Sequence, residues 1–375
     1  MTESLTDAQR LKFRLLSEGV QITAAGEEAL HQRIGDRSLS PADYASTSGL
    51  ILQLEDDVWV NAPIERYNPN FVSATPYFLD TTSDGFVVHG EGFVSTARYW
   101  PQPAYHGTHN EYGLLNNFVV THGDRARLSP LRGCAMTCTF CNIPYDDPIS
   151  EYGLKGIEAI VSAARAALDD SLQPARHMLI SGGTPKPKDI SYIQDVYRTI
   201  LRTFPTLEVD IMMVPLKDLF DLPGLKSLGV NELSINIEVY NQGRAKSMMR
   251  QKYNQGIGYY LNFIAEAAEV LGVGKVRSML MVGLEPMEDT LAGVAAIAER
   301  GGVPVLSPFR PDPATPLKAM KPPTGAELEE TYLRAQEIVR AAGGVLGPDC
   351  PPCTHNTLTF APDNGVYRHP IPAMI

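Results

Sequence analysis

Cysteine, long apolar runs and clustered positive charge are all scarce in this 375-residue chain. No segment approaches the roughly 18 uninterrupted apolar residues needed to cross a bilayer, so no membrane span is predicted. Lys and Arg are not clustered and the formal net charge is -11, which argues against a large nucleic-acid surface. The first residues, MTESLTDAQRLKFRLL, lack the basic region and apolar run of a secretory signal, so we expect a cytoplasmic protein.

The composition is that of a folded globular protein. Hydrophobic residues make up 44% of the chain and charged residues 20%, which excludes a mainly disordered protein. The length suits two or three ordinary domains, or one barrel-type domain with an extension.

The five cysteines fall as three plus two. Cys134, Cys138 and Cys141 lie within eight residues, and the next two are Cys350 and Cys353. An odd number of cysteines in a cytoplasmic chain argues against a disulfide framework and favours metal or cofactor chemistry.

Short apolar runs alternate with helical patterns from about residue 175 onward, and RARLSPL before Cys134 supplies a first strand. This alternation predicts an α/β fold with a parallel sheet, because each parallel connection needs a crossover. About six strand–helix units are enough for a partial (β/α)6 TIM-like barrel. The predicted strands are RARLSPL before Cys134 and the runs at 177–183, 207–214, 231–240, 275–285 and 303–309.

Three regions are predicted around this core. Residues 1–120 read as an N-terminal α+β accessory domain, with strand candidates LILQLEDDVWV and DGFVVHGEGFV separated by turns. Residues 121–320 form the partial barrel. Residues 321–375 hold the last helix and a C-terminal Cys-x2-Cys segment, which we expect to complete the barrel mouth if residues 345–347 form a further strand.

Polar and glycine-containing motifs follow several of the predicted strands. In barrels of this kind the chemistry lies at the C-terminal strand ends, so these motifs should converge. They comprise the three cysteines, Gly182-Gly183-Thr184, Asn236 with Glu238, Gly283 with Glu285, and residues 307–310.

The three-cysteine loop decides the chemistry. A structural zinc site and an ordinary four-iron cluster each need four ligands, so three cysteines leave one iron for another ligand. The stretch RGCAMTCTFCN, with its Cys-x3-Cys-x2-Cys spacing and Phe140, resembles the signature of the radical S-adenosylmethionine (SAM) superfamily. The alternatives are a zinc knuckle that borrows His122, or a distant pairing of this loop with Cys350 and Cys353.

Further segments share this resemblance, over roughly residues 125–320. SGGTP at 181–185 is similar to the family's glycine-rich segment, and SINIEVY and VLSPFRP resemble segments of the biotin synthase and lipoyl synthase branch. The resemblance implies a [4Fe-4S] cluster on Cys134, Cys138 and Cys141, and a SAM site. The implied SAM-site residues are Phe140, Gly182, Gly183, Thr184, Pro185, Ser234, Asn236, Glu238, Arg250, Gly283, Glu285 and Arg310.

The implied reaction is the reductive cleavage of SAM to a 5'-deoxyadenosyl radical, which abstracts hydrogen from a small-molecule biosynthetic substrate. Rearrangement, cyclisation or cleavage would follow. The electron would come from an external donor such as flavodoxin or ferredoxin. The cofactors carry the hard chemistry and the protein positions them, so no catalytic side chain is assigned beyond the cluster.

Cys350 and Cys353 leave several interpretations open. With His355, or with a ligand from the N-terminal domain, they would hold an auxiliary iron–sulfur cluster, which could feed radical sulfur insertion. A zinc clip, a redox dithiol and two structural thiols are the alternatives. The auxiliary-cluster cysteines of biotin and lipoyl synthases are absent, so the chain is identified as neither. Two further hypotheses are a non-catalytic metal-binding scaffold and, disfavoured by the acidic charge, radical modification of a tRNA or peptide.

Overall fold

The computed structural model describes residues 4–34, 49–147 and 150–361. Within these ranges the α-helices are α1 Asp7–Glu18, α2 Ala24–Ile34, α3 Ile157–Leu168, α4 Ile190–Thr203, α5 Leu222–Ser227, α6 Gln242–Met248, α7 Arg250–Gln255, α8 Ile257–Leu271, α9 Met287–Ala298 and α10 Gly325–Ala341. Short 3-10 turns occur at Glu55–Asp57, Leu115–Asn117, Pro187–Asp189 and Pro352–Asn356.

The strands of the described residues form two large sheets and two short hairpins. They are β1 Gln21–Ile22, β2 Gly49–Leu54, β3 Trp59–Pro63, β4 Phe78–Thr82, β5 Gly85–Gly90, β6 Phe93–Tyr99, β7 His109–Asn110, β8 Gly113–Leu114, β9 Val119–His122, β10 Arg125–Leu128, β11 Leu131–Arg132, β12 Gly153–Leu154, β13 His177–Ile180, β14 Val209–Met212, β15 Glu232–Ser234, β16 Val276–Val282 and β17 Val303–Pro308.

The larger sheet is a partial (β/α) barrel, as the alternation predicts. Its order is β17-β16-β15-β14-β13-β10-β9. The first six strands of this order pair in parallel, and β9 pairs with β10 in the antiparallel direction. All six predicted strands are present. Helices connect consecutive strands and cover the outer face of the sheet, and the strand residues are mostly buried. The motifs that follow each strand therefore meet at one end of the barrel.

Helix α4 shows how the sequence specifies this covering layer. Its buried side chains recur at helical spacing, so one stripe faces the sheet while the opposite face meets solvent. These side chains are Ile193, Val196, Tyr197, Ile200 and Leu201.

The second sheet, of order β1-β4-β5-β6-β2-β3, belongs to the N-terminal region. Each of the two strand candidates predicted there folds as a hairpin: the 3-10 turn Glu55–Asp57 divides one into β2 and β3, and Gly90 and Gly92 flank the turn between β5 and β6. Helix α1 begins with a capping box between Thr6 and Gln9 and packs against β3 and α10.

The strand predicted over 231–240 is shorter than expected. β15 ends at Ser234, because the side chain of Asn236 enters the hydrogen-bonding pattern: its Oδ1 accepts from the Ser234 hydroxyl at 2.9 Å and from Met279 N–H at 3.2 Å. Glu238 then adopts a φ of 68° and rejoins Leu280 through a single bridge. This interruption turns the segment towards the strand ends.

The segment after α10 closes the open side of the barrel. The predicted strand at 345–347 is a single parallel bridge between Gly347 and Val305. Beyond the 3-10 turn Pro352–Asn356, the N–H of Leu358 donates to Leu306 O. The buried side-chain amine of Lys12 in α1 donates to the carbonyl oxygens of Thr354 and Thr359. Within the described part of the chain, no helix has the length and apolarity needed to cross a membrane.

Candidate functional site

The three-cysteine loop follows β10 and β11 and contacts the loop that follows β13. The backbone N–H groups of Met136 and Thr184 both donate to Cys134 Sγ, at 3.3 and 3.0 Å. In return, Ala135 N–H donates to Thr184 O at 2.9 Å. The two loops predicted to form one site therefore share direct hydrogen bonds, and the backbone orients the first thiol.

Gly183 is the residue that permits this contact. A Cβ at this position would overlap Gly133 O and lie 2.9 Å from Cys134 Cα, closer than real Cβ atoms approach. Gly182 is different, because a Cβ there would meet Ser129 Oγ at 3.2 Å, a contact that a small shift relieves. The close approach therefore depends on the second glycine of the pair.

The far side of the cysteine loop is fixed by α6 and α7. Thr139 N–H donates to Met248 O at 2.8 Å, and Gln251 donates to the Thr137 hydroxyl at 2.9 Å. Phe140 is buried beneath the loop. These contacts set the direction of the loop between its second and third cysteines.

The three thiols are free, and burial favours the protonated form of Cys138 and Cys141. Burial, with Glu238 as a further contributor, raises the pKa of Cys141 to about 11 and also raises the pKa of Cys138. A bound metal centre would have to displace these protons, since the thiolate is the ligand form. Three free thiols on one loop fit a cluster that keeps one position for another ligand.

A buried ion pair faces the cysteine loop from the end of β15. Lys252 Nζ lies 2.8 Å from Glu238 Oε2 and donates to Asn236 O at 3.1 Å. Glu238 holds a left-handed backbone conformation that is rare for a non-glycine residue. Lys252 reaches both groups from α7, and burial of the pair keeps the carboxylate in one orientation.

Arg250 is one of the SAM-site residues implied by the resemblance, and the structure leaves it exposed at the start of α7. Lys252, two residues later, is the buried cation. No continuous helical stripe marks Lys252 in the sequence, because α6 ends at Met248, Met249 has a non-helical backbone (φ -144°, ψ 58°) and α7 begins at Arg250.

Glu285 and Gly283 follow β16 as predicted. The Glu285 carboxylate accepts the N–H groups of Tyr240 at 3.1 Å and Asn241, and the Thr290 hydroxyl at 3.2 Å. It thus positions the loop after Glu238. Gly283 has a φ of 101° and packs under Pro323.

Arg310, Ser234 and Pro185 are all buried. The Arg310 guanidinium donates to Asn61 O at 3.1 Å and to Asn356 Oδ1 at 2.8 Å, so it joins β17 to the N-terminal sheet and to the C-terminal segment. The Ser234 hydroxyl donates to Asn236, as described above.

The second cysteine pair lies elsewhere in the barrel. Asp124 immediately precedes β10 and His177 begins β13, so both stand at the N-terminal strand ends, and Cys350 and Cys353 lie beside them. One ligand atom from each of the four residues lies within 4.8 Å of the others. The pair is therefore at the end opposite the three-cysteine loop, and not at the mouth where the strand alternation placed it.

His355 does not join this group among the described residues. Its Nδ1 faces Pro352 O, and its Nε2 accepts from the Asn356 amide at 2.9 Å. His122, the proposed borrowed ligand of a zinc knuckle, pairs in register with Arg125 at the start of β10, also away from the three-cysteine loop. Asp124 and His177 were missed because they are far apart in sequence and meet only through the parallel pairing of β10 with β13.

Comparison with protein families agrees with this geometry. Residues 128–294 match the family model described as the Radical SAM superfamily. The matched range begins at the end of β10 and ends within α9, so it contains the three-cysteine loop, Gly183 and the Glu238–Lys252 pair.

One curated protein with a matching segment is the bacteriochlorophyllide c C-7(1)-hydroxylase of Chlorobaculum limnaeum, 23% identical over 172 residues. The match covers 43% of this chain and 43% of the hydroxylase, so the chain spans less than half of that relative. Similar solved structures include the hydrogenase maturase HydG of Carboxydothermus hydrogenoformans (TM-score 0.46, 16% identity, 66% of this chain and 61% of that one). A radical SAM methyltransferase from Sphaerobacter thermophilus has a TM-score of 0.43 at 16% identity, covering 72% of this chain and 76% of that one.

Proposed function

We propose that this chain, whose residues 128–294 match the Radical SAM superfamily model, removes a hydrogen atom from an unactivated carbon of a small-molecule biosynthetic substrate. Rearrangement, cyclisation or cleavage of that substrate would follow. The observation that carries the proposal is the three-thiol loop, which the backbone of Gly183 and Thr184 orients at the C-terminal strand ends.

Cys134, Cys138 and Cys141 would hold a [4Fe-4S] cluster, and the fourth iron is left for the amino and carboxylate groups of SAM. When bound, the two cofactors supply one electron and the adenosyl group that accepts the substrate hydrogen as 5'-deoxyadenosine, with methionine as the other product. The part played by the protein is to fix their relative positions, since the reacting carbon must lie close to the adenosyl group.

Several residues of this chain would bind SAM. Gly182 to Pro185 would present backbone groups to its amino group, beside the thiol that Thr184 already contacts. Glu238 would accept hydrogen bonds from the ribose hydroxyls, held by Lys252 at 2.8 Å. Phe140, Ser234, Asn236, Gly283, Glu285, Arg250 and Arg310 complete the proposed set; the contacts of Glu285 and Arg310 favour positioning roles for these two.

The second candidate function is radical sulfur insertion fed by a cluster at Cys350 and Cys353. Its support is the second cysteine pair itself. The location of this pair at the N-terminal strand ends argues against sulfur insertion, because a sulfur donor must reach the same substrate carbon as the adenosyl group. From Asp124 the strand β10 spans four residues, or about 13 Å, before the loops of the mouth begin. We therefore prefer hydrogen abstraction without sulfur donation.

We further propose that residues 1–120 act as an accessory domain beside the barrel of residues 121–320, and that an external one-electron donor such as a flavodoxin or ferredoxin docks near the cysteine loop. The five free cysteines suit the reducing cytoplasm, which is the location we propose.

The test is deuterium transfer to 5'-deoxyadenosine. Anaerobically reconstituted enzyme, SAM and dithionite would be mixed with either the small-molecule or the macromolecular fraction of cells grown in D2O. We expect 5'-deoxyadenosine one mass unit heavier with the small-molecule fraction, and none at all with the Cys138→Ala variant. Deuterium from the macromolecular fraction alone would point to a tRNA or peptide substrate, and absence of 5'-deoxyadenosine from the reconstituted wild type would overturn the proposal.

A further inference from the structure

A second metal-ligand cluster lies at the N-terminal strand ends, far from the proposed SAM site. It consists of Asp124, His177, Cys350 and Cys353, which we call the base cluster. His177 begins β13, Asp124 immediately precedes β10, which pairs with β13 in parallel, and the two cysteines belong to the segment that follows α10. Three separate stretches of chain therefore converge on one point.

The distances within the base cluster are those of a single-ion site. His177 Nε2 lies 3.2 Å from Asp124 Oδ1, 3.8 Å from Cys350 Sγ and 3.4 Å from Cys353 Sγ. Cys350 Sγ lies 3.7 Å from Asp124 Oδ1. Zinc bonds of about 2.0–2.3 Å in a tetrahedron separate neighbouring ligand atoms by about 3.3–3.8 Å, which is the same range.

An iron–sulfur cluster fits these distances less well. A cluster binds its protein ligands on different irons and so holds them apart on the outside of a multi-atom core. The four ligand atoms here lie within 4.8 Å of one another and leave no room for such a core. The donor set of two thiols, one imidazole and one carboxylate is also one that zinc accepts, and four protein ligands close the coordination shell.

The surroundings are built to hold the four ligands in place. Cys353, His177 and Asp124 are buried, and Cys350 is partly buried. Pro352 packs on Gly123, one residue before Asp124. Lys12 fixes Thr354, the residue after Cys353, from the N-terminal helix.

We propose that the base cluster binds one zinc ion, which attaches the C-terminal segment to the N-terminal ends of β10 and β13. The ion has a structural role, because its four ligands all come from the protein and leave no position for substrate. The site is separate from the three-cysteine loop, so its metal content and that of the loop vary independently.

Metal analysis of purified protein, grown with both iron and zinc, tests the proposal. We expect one zinc per chain in the wild type. The Cys350→Ser/Cys353→Ser double variant should lose the zinc and keep the iron of the loop, whereas Cys138→Ala should keep the zinc and lose the iron. His355→Gln is the matched control, since His355 is adjacent in sequence but outside the cluster, and it should keep both metals.

A second variant, Asp124→Cys, tests the proposal even if the double variant does not fold. Asp124→Cys converts the ligand set to three thiols and one histidine, which is also a zinc site. In protein loaded with Co²⁺, this variant should strengthen the sulfur-to-cobalt charge-transfer band of the tetrahedral spectrum, while His355→Gln leaves it unchanged. A wild type without zinc, a cobalt spectrum indifferent to Asp124→Cys, or additional iron that depends on Cys353 would each overturn the proposal; the last would establish an auxiliary cluster instead.

Discussion

The two ends of the barrel both gather cysteines, but they do so in different ways. At the C-terminal strand ends, three thiols share one loop and the neighbouring groups are backbone N–H groups and a Glu238–Lys252 pair. At the N-terminal ends, two thiols meet an imidazole and a carboxylate from distant segments. Three ligands leave a position for an exchangeable molecule, whereas four close the site. We therefore expect chemistry at the C-terminal strand ends and a structural role at the N-terminal ends.

Loss of a cysteine should separate the two ends most clearly. Cys138→Ala removes one of three ligands from the loop, so we expect the iron content to fall close to zero and SAM cleavage to fall to background. Cys353→Ser, at the opposite end, should leave iron content and SAM cleavage near the wild-type values. Iron analysis and quantification of 5'-deoxyadenosine check both. Equal losses of activity in folded samples of the two variants would contradict the division of roles.

The charge pairs of the two ends should differ in their effect on folding. Arg277 at the N-terminal end lies between two buried carboxylates, 2.6 Å from Glu232 and in contact with Asp210. Arg277→Met would leave two buried acids without their cation, and we expect the free energy of unfolding to drop by about 3–5 kcal/mol. Urea unfolding measures this.

The matched control for Arg277→Met is Arg334→Met, which removes an exposed pair with Glu288 and should change stability little. Similar stability losses in the two variants would mean that burial does not determine how much the ion pairs of Arg277 contribute to the free energy of unfolding.

A more selective substitution targets the contact between the three-cysteine loop and the loop that follows β13. Gly183→Ala places a methyl group against Gly133 and Cys134, so the loops must separate. We expect a stability loss of about 1–3 kcal/mol and an iron content well below that of the wild type. Gly182→Ala is the control, because the closest contact of its methyl group would be Ser129 Oγ at 3.2 Å. If Gly182→Ala lowers the iron content as much as Gly183→Ala does, the contact with Cys134 is not what orients the loop.

The smallest expected effect is a change in pH dependence. Burial lowers the pKa of Lys12 well below its ordinary value of 10.5. Between the lowered pKa of the folded state and pH 10.5, Lys12 is protonated in the unfolded chain and unprotonated in the folded chain. The free energy of unfolding therefore rises with pH across this window. The slope from this group is at most about 1.4 kcal/mol per pH unit.

Lys12→Met should reduce that slope, measured by urea unfolding at several pH values between neutrality and pH 10.5, whatever it does to absolute stability. The exposed Lys321→Met serves as the control. A slope in Lys12→Met identical to that of the wild type would show that Lys12 does not change its protonation on folding.

The barrel could be predicted from the sequence because its signals are local. Each strand is a short apolar run and each helix repeats its buried residues at helical spacing, as in α4. The three-cysteine loop was predictable for the same reason, since its ligands lie within eight residues. Gly183 was recognised as a motif, although its contact with Gly133 required the structure.

Interactions between distant segments could not be predicted in this way. His177 and Asp124 become neighbours of Cys353 only when β10 pairs with β13 and the chain returns after α10. Lys252 was overlooked because nothing in its sequence neighbourhood distinguishes it from Arg250 until α7 buries one and exposes the other. The shortening of β15 depends on a side-chain amide that replaces a strand hydrogen bond.

The contact between Lys12 and the C-terminal segment links the order of synthesis to the order of folding. The carbonyl oxygens that Lys12 binds, at Thr354 and Thr359, leave the ribosome after nearly all of the chain. Every ligand of the three-cysteine loop is made more than two hundred residues earlier. The cysteine loop is therefore synthesised before the segment that Lys12 binds, and the contact that joins the two terminal regions forms only after that segment has been made.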